Sequence, residues 1–129
     1  MKKILTSLAF LFLATAVSAQ LSGTKTIPGD YPTIAAAINS LNNNVVTTPG
    51  VVFNVAAGYT ETFTFPAAGL ITATGTATAP VVFQKSGTGA NPVITSASGV
   101  GTSDYIICLQ GTDYITFNGI DLADDAANT

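Results

Sequence analysis

The chain contains no histidine and no tryptophan, has a single cysteine, and has only lysines as basic residues. Without histidine the chain cannot form a Ser-His-Asp or Cys-His catalytic arrangement or a histidine-ligated zinc site. Without arginine it cannot form an arginine clamp on a carboxylate. With Cys108 as the only cysteine, no disulfide can form within the chain. A small domain of this composition must be held together by another device, such as stacked repeat units.

Cys108 lies in the apolar stretch Tyr105–Leu109. A reactive thiol needs a partner that stabilises the thiolate, and no histidine is present to supply it. We therefore expect Cys108 to be a small buried hydrophobic residue rather than a nucleophile. The sequence also contains no glycine-rich phosphate-binding loop.

The first nineteen residues have the three parts of a secretory signal peptide. Lys2 and Lys3 are followed by the apolar run 4–17 and then by Val17-Ser18-Ala19, which has small residues where a signal peptidase cleaves. The apolar run is shorter than the roughly 20 residues of a membrane-spanning helix. A buried amino-terminal helix is the alternative, but the run has no polar face. The sequence predicts a signal peptide over 1–19 and a domain over 20–129.

Few charges remain after residue 19, and most of them are negative. Lys25 and Lys85 are the only basic residues, against seven acidic ones. This balance argues against binding to nucleic acid or to anionic lipid, both of which need clustered positive charge. No second long apolar run follows, so we expect no membrane contact after cleavage. The low charge and many β-branched residues predict a folded domain.

One amphipathic helix is predicted near the start of this domain, from about Pro32 to about Leu41. Its apolar positions recur at helical spacing, and Asp30 or a residue beside Tyr31 is the expected cap. The polar, glycine-containing segment 21–30 before it is interpreted as a lead-in.

Short strands separated by Gly, Asn, Asp and Ser are predicted after the helix. They are expected at 51–55, 61–65, 70–74, 81–84, 93–95, 105–109 and 114–117, with 120–122 as a continuation. An antiparallel sandwich and a parallel β-helix both fit this pattern. The β-helix is favoured because the strands are very short, several are apolar throughout, and a helix could cover the open first coil.

Weak internal repeats support the β-helix. Val51-Val52-Phe53-Asn54 and Val81-Val82-Phe83-Gln84 are near-copies about 30 residues apart, a spacing that suits one coil. Tyr105-Ile106-Ile107 and Tyr114-Ile115-Thr116-Phe117 also resemble each other, and each follows an aspartate.

Two segments resemble the opening of right-handed parallel β-helix proteins of the pectin-lyase-like fold: 30–38, Asp-Tyr-Pro-Thr-Ile-Ala-Ala-Ala-Ile, and 55–61, Val-Ala-Ala-Gly-Tyr-Thr-Glu. Segments 71–76, 80–84 and 113–121 are similar to coils of large bacterial surface proteins exported by the type IX route. The resemblance implies an all-β, right-handed parallel β-helix with one amino-terminal capping helix. Such proteins usually continue for several hundred residues, so we expect 20–129 to be the amino-terminal coils of a truncated chain. The lyases and esterases of this fold use Arg or Lys beside paired acids, and the resemblance carries no such residue onto this chain.

Carboxylates and tyrosines are the remaining candidates for function. Asp124-Asp125 is an adjacent pair of the kind that inverting glycosidases use, but it is interpreted as a solvated acidic turn. Calcium is considered because five aspartates lie in the last quarter, yet their spacing matches no known calcium loop. Glu61 is interpreted as structural. Tyrosines could stack on sugar rings, although packing is the expected role of each. The aspartates are Asp104, Asp113, Asp121, Asp124 and Asp125, and the tyrosines are Tyr31, Tyr59 and Tyr114.

The sequence therefore predicts no catalytic, cofactor-binding or metal-binding residue and no cofactor. The preferred function is a non-catalytic protein, secreted or on the outer surface of a Gram-negative bacterium, that serves adhesion or contacts a polysaccharide or cell-surface glycan. The alternative is the amino-terminal part of a polysaccharide-active lyase, esterase or hydrolase whose catalytic residues lie beyond this chain. A fragment without independent function is a third possibility, and it predicts poor solubility through exposed strand edges.

Overall fold

The fold is known from a computed structural model that describes residues 19–64, 67–96 and 105–126. In these residues, nine short strands and one helix follow each other along the chain. They are β1 (Gln20–Ile27), α1 (Ile34–Asn43), β2 (Val45–Ala56), β3 (Thr60–Phe63), β4 (Leu70–Ile71), β5 (Val81–Ser86), β6 (Val93–Ser96), β7 (Cys108–Leu109), β8 (Ile115–Asn118) and β9 (Asp121–Ala123). Residues 1–18 of the predicted signal peptide and Asp104 lie outside the described residues.

All strand pairs between these elements are parallel, which makes the fold a β-solenoid of about three turns. A four-stranded sheet has the order β1-β2-β5-β8, a three-stranded sheet β3-β6-β9, and a two-stranded sheet β4-β7. Two coils contribute one strand to each sheet: β2, β3 and β4 form the first, and β5, β6 and β7 form the second. Strands β8 and β9 belong to the third coil, and β1 pairs with β2 of the first. The prediction of a parallel β-helix is confirmed at this level, and the antiparallel sandwich is wrong.

The first predicted repeat is a true coil repeat. Val51 pairs with Val81 and Asn54 with Gln84, in an unbroken register. The second predicted repeat is not. Cys108, which follows the first copy, pairs with Leu70 in the two-stranded sheet, whereas Ile115 of the second copy pairs with Val81 in the four-stranded sheet. The two copies therefore lie beside different sheets and do not stack on each other.

The helix begins and ends two residues later than predicted. Its cap is Thr33, whose hydroxyl accepts a hydrogen bond from the Ala36 N–H at 3.0 Å. Pro32 lies before the cap, and Asp30 instead binds the backbone N–H and hydroxyl of Thr26 at 2.8 and 2.9 Å. Asp30 thus closes the turn that leads to the helix, and the prediction that it or a neighbour of Tyr31 caps the helix is wrong.

Most of the predicted lead-in is strand β1, which the sequence pattern did not predict. Leu21 and Ile27 are buried, while Thr24 and Thr26 are exposed. β1 is paired with β2 along nearly its whole length, with one irregularity near Gly23. A strand this polar is held by its parallel neighbour rather than by a hydrophobic pattern of its own.

Inward-facing side chains of successive coils stack directly on one another inside the solenoid. Phe53 and Phe83 are fully buried, and their ring centroids lie 4.5 Å apart. The ring of Phe117 stacks on Phe83 at 5.1 Å. These distances match the roughly 4.8 Å spacing of neighbouring strands, because residues in register must repeat at that spacing.

Helix α1 covers the end of the solenoid at which the first coil lies. Ile34, Ala37, Ile38 and Leu41 form its buried face. At its carboxyl end, the Asn42 side chain donates to the Leu70 carbonyl at 2.7 Å and accepts from the Thr72 N–H at 2.9 Å. The single predicted helix is confirmed, and these contacts hold it against the first coil. Within the described part of the chain, no helix is long and apolar enough to cross a membrane.

Candidate functional site

The outward face of the four-stranded sheet carries two columns of uncharged side chains. One column contains Thr24, Val52, Val82 and Thr116 in register, and the other contains Thr26, Asn54, Gln84 and Asn118. These positions are exposed or half-buried, because side chains alternate between the two faces of a strand. Neither column contains a charged side chain.

Three carboxamides on successive strands form what we call the amide column: Asn54, Gln84 and Asn118. Gln84 Nε2 donates to Asn54 Oδ1 at 2.9 Å, which orients both side chains. Each carboxamide carries two donor hydrogens and an acceptor oxygen, so this single bond leaves donors and acceptors for a ligand. The half-buried Val52 and Val82 lie two residues before Asn54 and Gln84 on the same face and add apolar surface.

The one lysine of the second coil is held at the corner beside this face. Lys85 Nζ donates to the Gly89 carbonyl and, at 3.2 Å, to Asn91 Oδ1. Asn91 Nδ2 in turn donates to Asp121 Oδ1 at 2.9 Å, which ties the second coil to the third. Lys85 and Asp121 therefore serve the turn, and the Asp121 carboxylate accepts a hydrogen bond from an amide rather than facing a cluster of acids.

The three candidate tyrosines have different surroundings. Tyr31 packs edge-on against Phe53, with ring centroids 5.7 Å apart, and its hydroxyl lies 2.9 Å from Ser40 Oγ. The Tyr59 hydroxyl donates to Glu61 Oε2 at 2.9 Å. Tyr114, by contrast, is 56% exposed at the turn that precedes β8. Tyr31 and Tyr59 pack against the core, and of the three only Tyr114 is mostly exposed to solvent.

Glu61 binds the amino terminus of the helix. Its two carboxylate oxygens accept from the Ile34 N–H at 2.6 Å and from the Ala35 N–H at 3.0 Å. A carboxylate at this end of a helix is favoured by the unpaired N–H groups and by the helix dipole. Partial burial, the hydrogen bond to Glu61 and the negative charge of Glu61 together raise the pKa of Tyr59 to about 12. Glu61 thus has a structural position between β3 and α1.

The described acidic residues of the last quarter do not form a cluster that could hold a metal ion. The described residues contain no group of three or more His, Cys, Asp or Glu side chains placed to hold a metal ion. In the Asp124-Asp125 pair, the Asp125 N–H donates to Asp124 Oδ1 at 2.9 Å, as in an acidic turn. Cys108 lies in β7 and is half-buried rather than fully buried. In the part of the chain that the structure describes, β7 pairs with β4 on one side and leaves the other side open.

A shallow groove of about 490 Å³ lies between the helix and the turn that joins β3 to β4. Its walls are small or uncharged polar side chains, among them Asn39, Asn42, Thr64, Ala68 and Thr72. Asn42 is already engaged with the edge of β4. The groove therefore belongs to the seam between the helix and the first coil.

Sequence reasoning missed the amide column. The signal was present in the near-copies Val-Val-Phe-Asn and Val-Val-Phe-Gln, which share an apolar third residue and a carboxamide fourth residue. Segment 115–118, Ile-Thr-Phe-Asn, repeats both features. Reading these segments as strands of one sheet would have placed the three carboxamides side by side.

Comparison of the chain with protein-family models, with curated protein sequences and with solved structures found no match. The resemblance to pectin-lyase-like proteins and to type IX-exported proteins therefore stays a prediction.

Proposed function

We propose that this protein is a non-catalytic, exported β-helix protein that contacts neutral glycans through the outward face of its four-stranded sheet. The observation that carries the proposal is the amide column, a line of carboxamides in register on an uncharged face. Carboxamides both donate and accept hydrogen bonds, as the hydroxyl groups of sugars do. Protein sites that bind small molecules combine a few such polar groups with apolar surface, here Val52 and Val82.

The charge of the chain favours a neutral ligand over an acidic one. Lys85 is held by the turn at the corner of the second coil, and acidic residues outnumber basic ones after residue 19. A polyanion such as a uronate polymer would meet net repulsion and few cationic partners. Neutral glycans meet neither obstacle.

The proposal includes a right-handed, pectin-lyase-like coil and export to the outer surface of a Gram-negative bacterium or to the medium. Right-handedness is supported by the general rule for connections between parallel strands of one sheet. Export is supported by the tripartite pattern of residues 1–19 and by the position of β1, which begins at Gln20, directly after the predicted cleavage site. The likeness of segments 30–38 and 113–121 to exported β-helix proteins points to the same class.

Binding to an array of neutral and acidic glycans tests the function. We expect neutral glycans to bind and Gln84→Leu to weaken binding by about tenfold, the equivalent of about 1.4 kcal/mol for lost hydrogen bonds. The matched control is Thr95→Val, an uncharged outward position on the three-stranded sheet, and it should bind as the unchanged protein does. The same samples are assayed for newly released sugar ends.

Two results would contradict the proposal. One is binding restricted to acidic glycans, and the other is binding that Gln84→Leu leaves unchanged while Thr95→Val reduces it. Release of sugar ends by the purified chain would instead favour the polysaccharide-active alternative.

A further inference from the structure

Tyr114 has an unusual backbone conformation. Its φ of 56° is the only positive value at a non-glycine position among the described residues. This left-handed region is sparsely populated by residues other than Gly, Asn and Asp, and bulky side chains enter it at a cost. Strain of this kind persists only where the surrounding structure enforces it, and it is concentrated at functional sites.

Three hydrogen bonds fix the backbone around Tyr114. The Asp113 N–H donates to Thr74 Oγ1 at 3.0 Å, and the Asp113 carbonyl accepts from the Gly75 N–H at 2.9 Å. The Tyr114 carbonyl accepts from the Val81 N–H at 3.0 Å. A Cβ at position 75 would lie 3.2 Å from Tyr114 Cβ and 2.9 Å from the Ala79 carbonyl oxygen, so only glycine fits beneath this turn. The turn is a rigid corner stacked on the coil before it.

The fold enforces the backbone of this corner, but Tyr114 does not belong to the side chains that pack against the core. Tyr114 is 56% exposed, whereas Tyr31 and Tyr59 pack against the core and are held by Phe53, Ser40 and Glu61. Asparagine or glycine would adopt the same φ at lower cost. The presence of a large aromatic side chain is therefore explained better by what the ring meets in solvent than by stability.

We propose that Tyr114 is a stacking platform for a sugar ring at the start of β8, at one end of the glycan-binding face. This proposal rests on the proposed function and names one of its contact residues. An aromatic ring offers an apolar face to the C–H face of a neutral pyranose, and the rigid corner holds that ring with little loss of conformational freedom on binding. The neighbouring Asp113 is exposed and supplies a carboxylate acceptor for sugar hydroxyls. On β8 itself, the exposed Thr116 and Asn118 continue the polar surface.

The test uses cellohexaose, xylohexaose and N-acetylchitohexaose as probes. Because the chain has no tryptophan, tyrosine fluorescence and saturation transfer to the sugar protons report on contact with its aromatic residues, and the Tyr114 variants identify the contribution of that ring. Tyr114→Phe keeps the ring and should bind as the unchanged protein does. Tyr114→Asn removes the ring but suits the backbone, so it should weaken binding by up to about tenfold and lose the saturation transfer from the tyrosine.

Thermal unfolding separates a binding role from a structural one. The Tyr114→Asn variant should be at least as stable as the unchanged protein, because asparagine tolerates this φ. If the unchanged protein binds a hexasaccharide and Tyr114→Asn binds it equally well, the platform is wrong while the proposed function stands. If Tyr114→Asn loses binding only because it unfolds, the platform is likewise rejected. If the unchanged protein binds none of the three probes, the proposed function itself fails, and this inference fails with it.

Discussion

Glu61 shows how a single carboxylate joins two parts of this fold. It lies on β3, yet its oxygens bind the first N–H groups of α1, which are 26 and 27 positions earlier in the chain. The Tyr59 hydroxyl donates to the same carboxylate. The negative charge of Glu61 therefore holds the helix against the first coil.

The raised pKa of Tyr59 predicts a loss of stability in strong base. The tyrosine of the unfolded chain ionises near pH 10, whereas the folded protein retains the proton until about pH 12. The contribution of Tyr59 is therefore complete below pH 10 and is lost as the pH rises from 10 to 12. Chemical denaturation across this range should show a fall in the free energy of unfolding.

The variant Tyr59→Phe isolates this effect, since the other tyrosines titrate in both proteins. The difference in unfolding free energy between Tyr59→Phe and the unchanged protein should be constant up to pH 10 and shift toward the variant above it. A difference that does not vary with pH would show that the Tyr59–Glu61 contact does not form in solution.

At this scale, sequence patterns identified candidates but could not assign their partners. Asp and Thr are both favoured at the amino-terminal cap of a helix, so the sequence offers Asp30 and Thr33. In the structure, Asp30 binds Thr26 in the preceding turn instead. Tyr31, Tyr59 and Tyr114 were equivalent in the sequence. Their exposure depends on contacts between distant segments, which one sequence without its fold does not reveal.

The stacked phenylalanines are the clearest case of an element-level cause. Parallel strands in register bring identical residues onto neighbouring positions, so Phe53, Phe83 and Phe117 form one continuous stack. Their rings are nearly parallel, with interplanar angles of 17° and 9°. The repeat along the sequence thus becomes packing along the solenoid.

Truncating the middle ring should destabilise the protein more than truncating the last one. Phe83→Ala removes a fully buried side chain between two rings and should lower the free energy of unfolding by about 3–5 kcal/mol. Phe117 is only half-buried and stacks on one ring, so Phe117→Ala should cost less. Urea denaturation of the two variants measures the difference.

Val82→Thr on the outward face of the same strand is the matched control and should change the unfolding free energy by about 0.5 kcal/mol or less. Equal losses from Phe83→Ala and Phe117→Ala would mean that the third coil is packed as tightly as the second, contrary to this structure.

Strand positions were predictable where apolar residues and turn residues alternate, as at 51–55, 81–84 and 93–95. They were not predictable at β1, where the sequence is polar and the strand exists because β2 lies beside it. The predicted strands at 70–74 and 105–109 shrink to the two residues of β4 and β7. Pairing between coils, rather than local propensity, decides these lengths.

The whole molecule is a solenoid with two different ends. The first coil is covered by α1, whereas β7, β8 and β9 each pair on one side only within the described residues. Leu109 and Leu122, on β7 and β9, are each about half exposed at this end. The parallel solenoid and its single helix were predicted from the sequence pattern. The handedness and the ligand depend on geometry and partners that the pattern does not encode.

Export predicts a defined amino terminus for the protein in its native cells. Intact mass measurement and amino-terminal peptide mapping should find a chain that begins at Gln20. Cleavage after Ala19 would remove the hydrogen bond of 3.3 Å from the Val45 N–H to the Ala19 carbonyl and would leave β1, which begins at Gln20, intact.

The variant Ala19→Arg removes the small residue that the peptidase needs and should accumulate uncleaved inside the cell. Recovery of the unchanged protein with residues 1–19 still attached would contradict the signal peptide. An intact mass far above that of residues 20–129 would support the expectation that this chain is part of a longer protein.

Asn42 acts as a stand-in for a peptide unit. With one donor to the Leu70 carbonyl and an oxygen shared by the Thr72 and Ala73 N–H groups, its carboxamide imitates the neighbouring strand that β4 would otherwise require on that side. We therefore expect the amide hydrogens of Thr72 and Ala73 to exchange with solvent only when the helix leaves its position against the first coil. For the same reason we expect fraying of the two-stranded sheet at that end to accompany undocking of the helix.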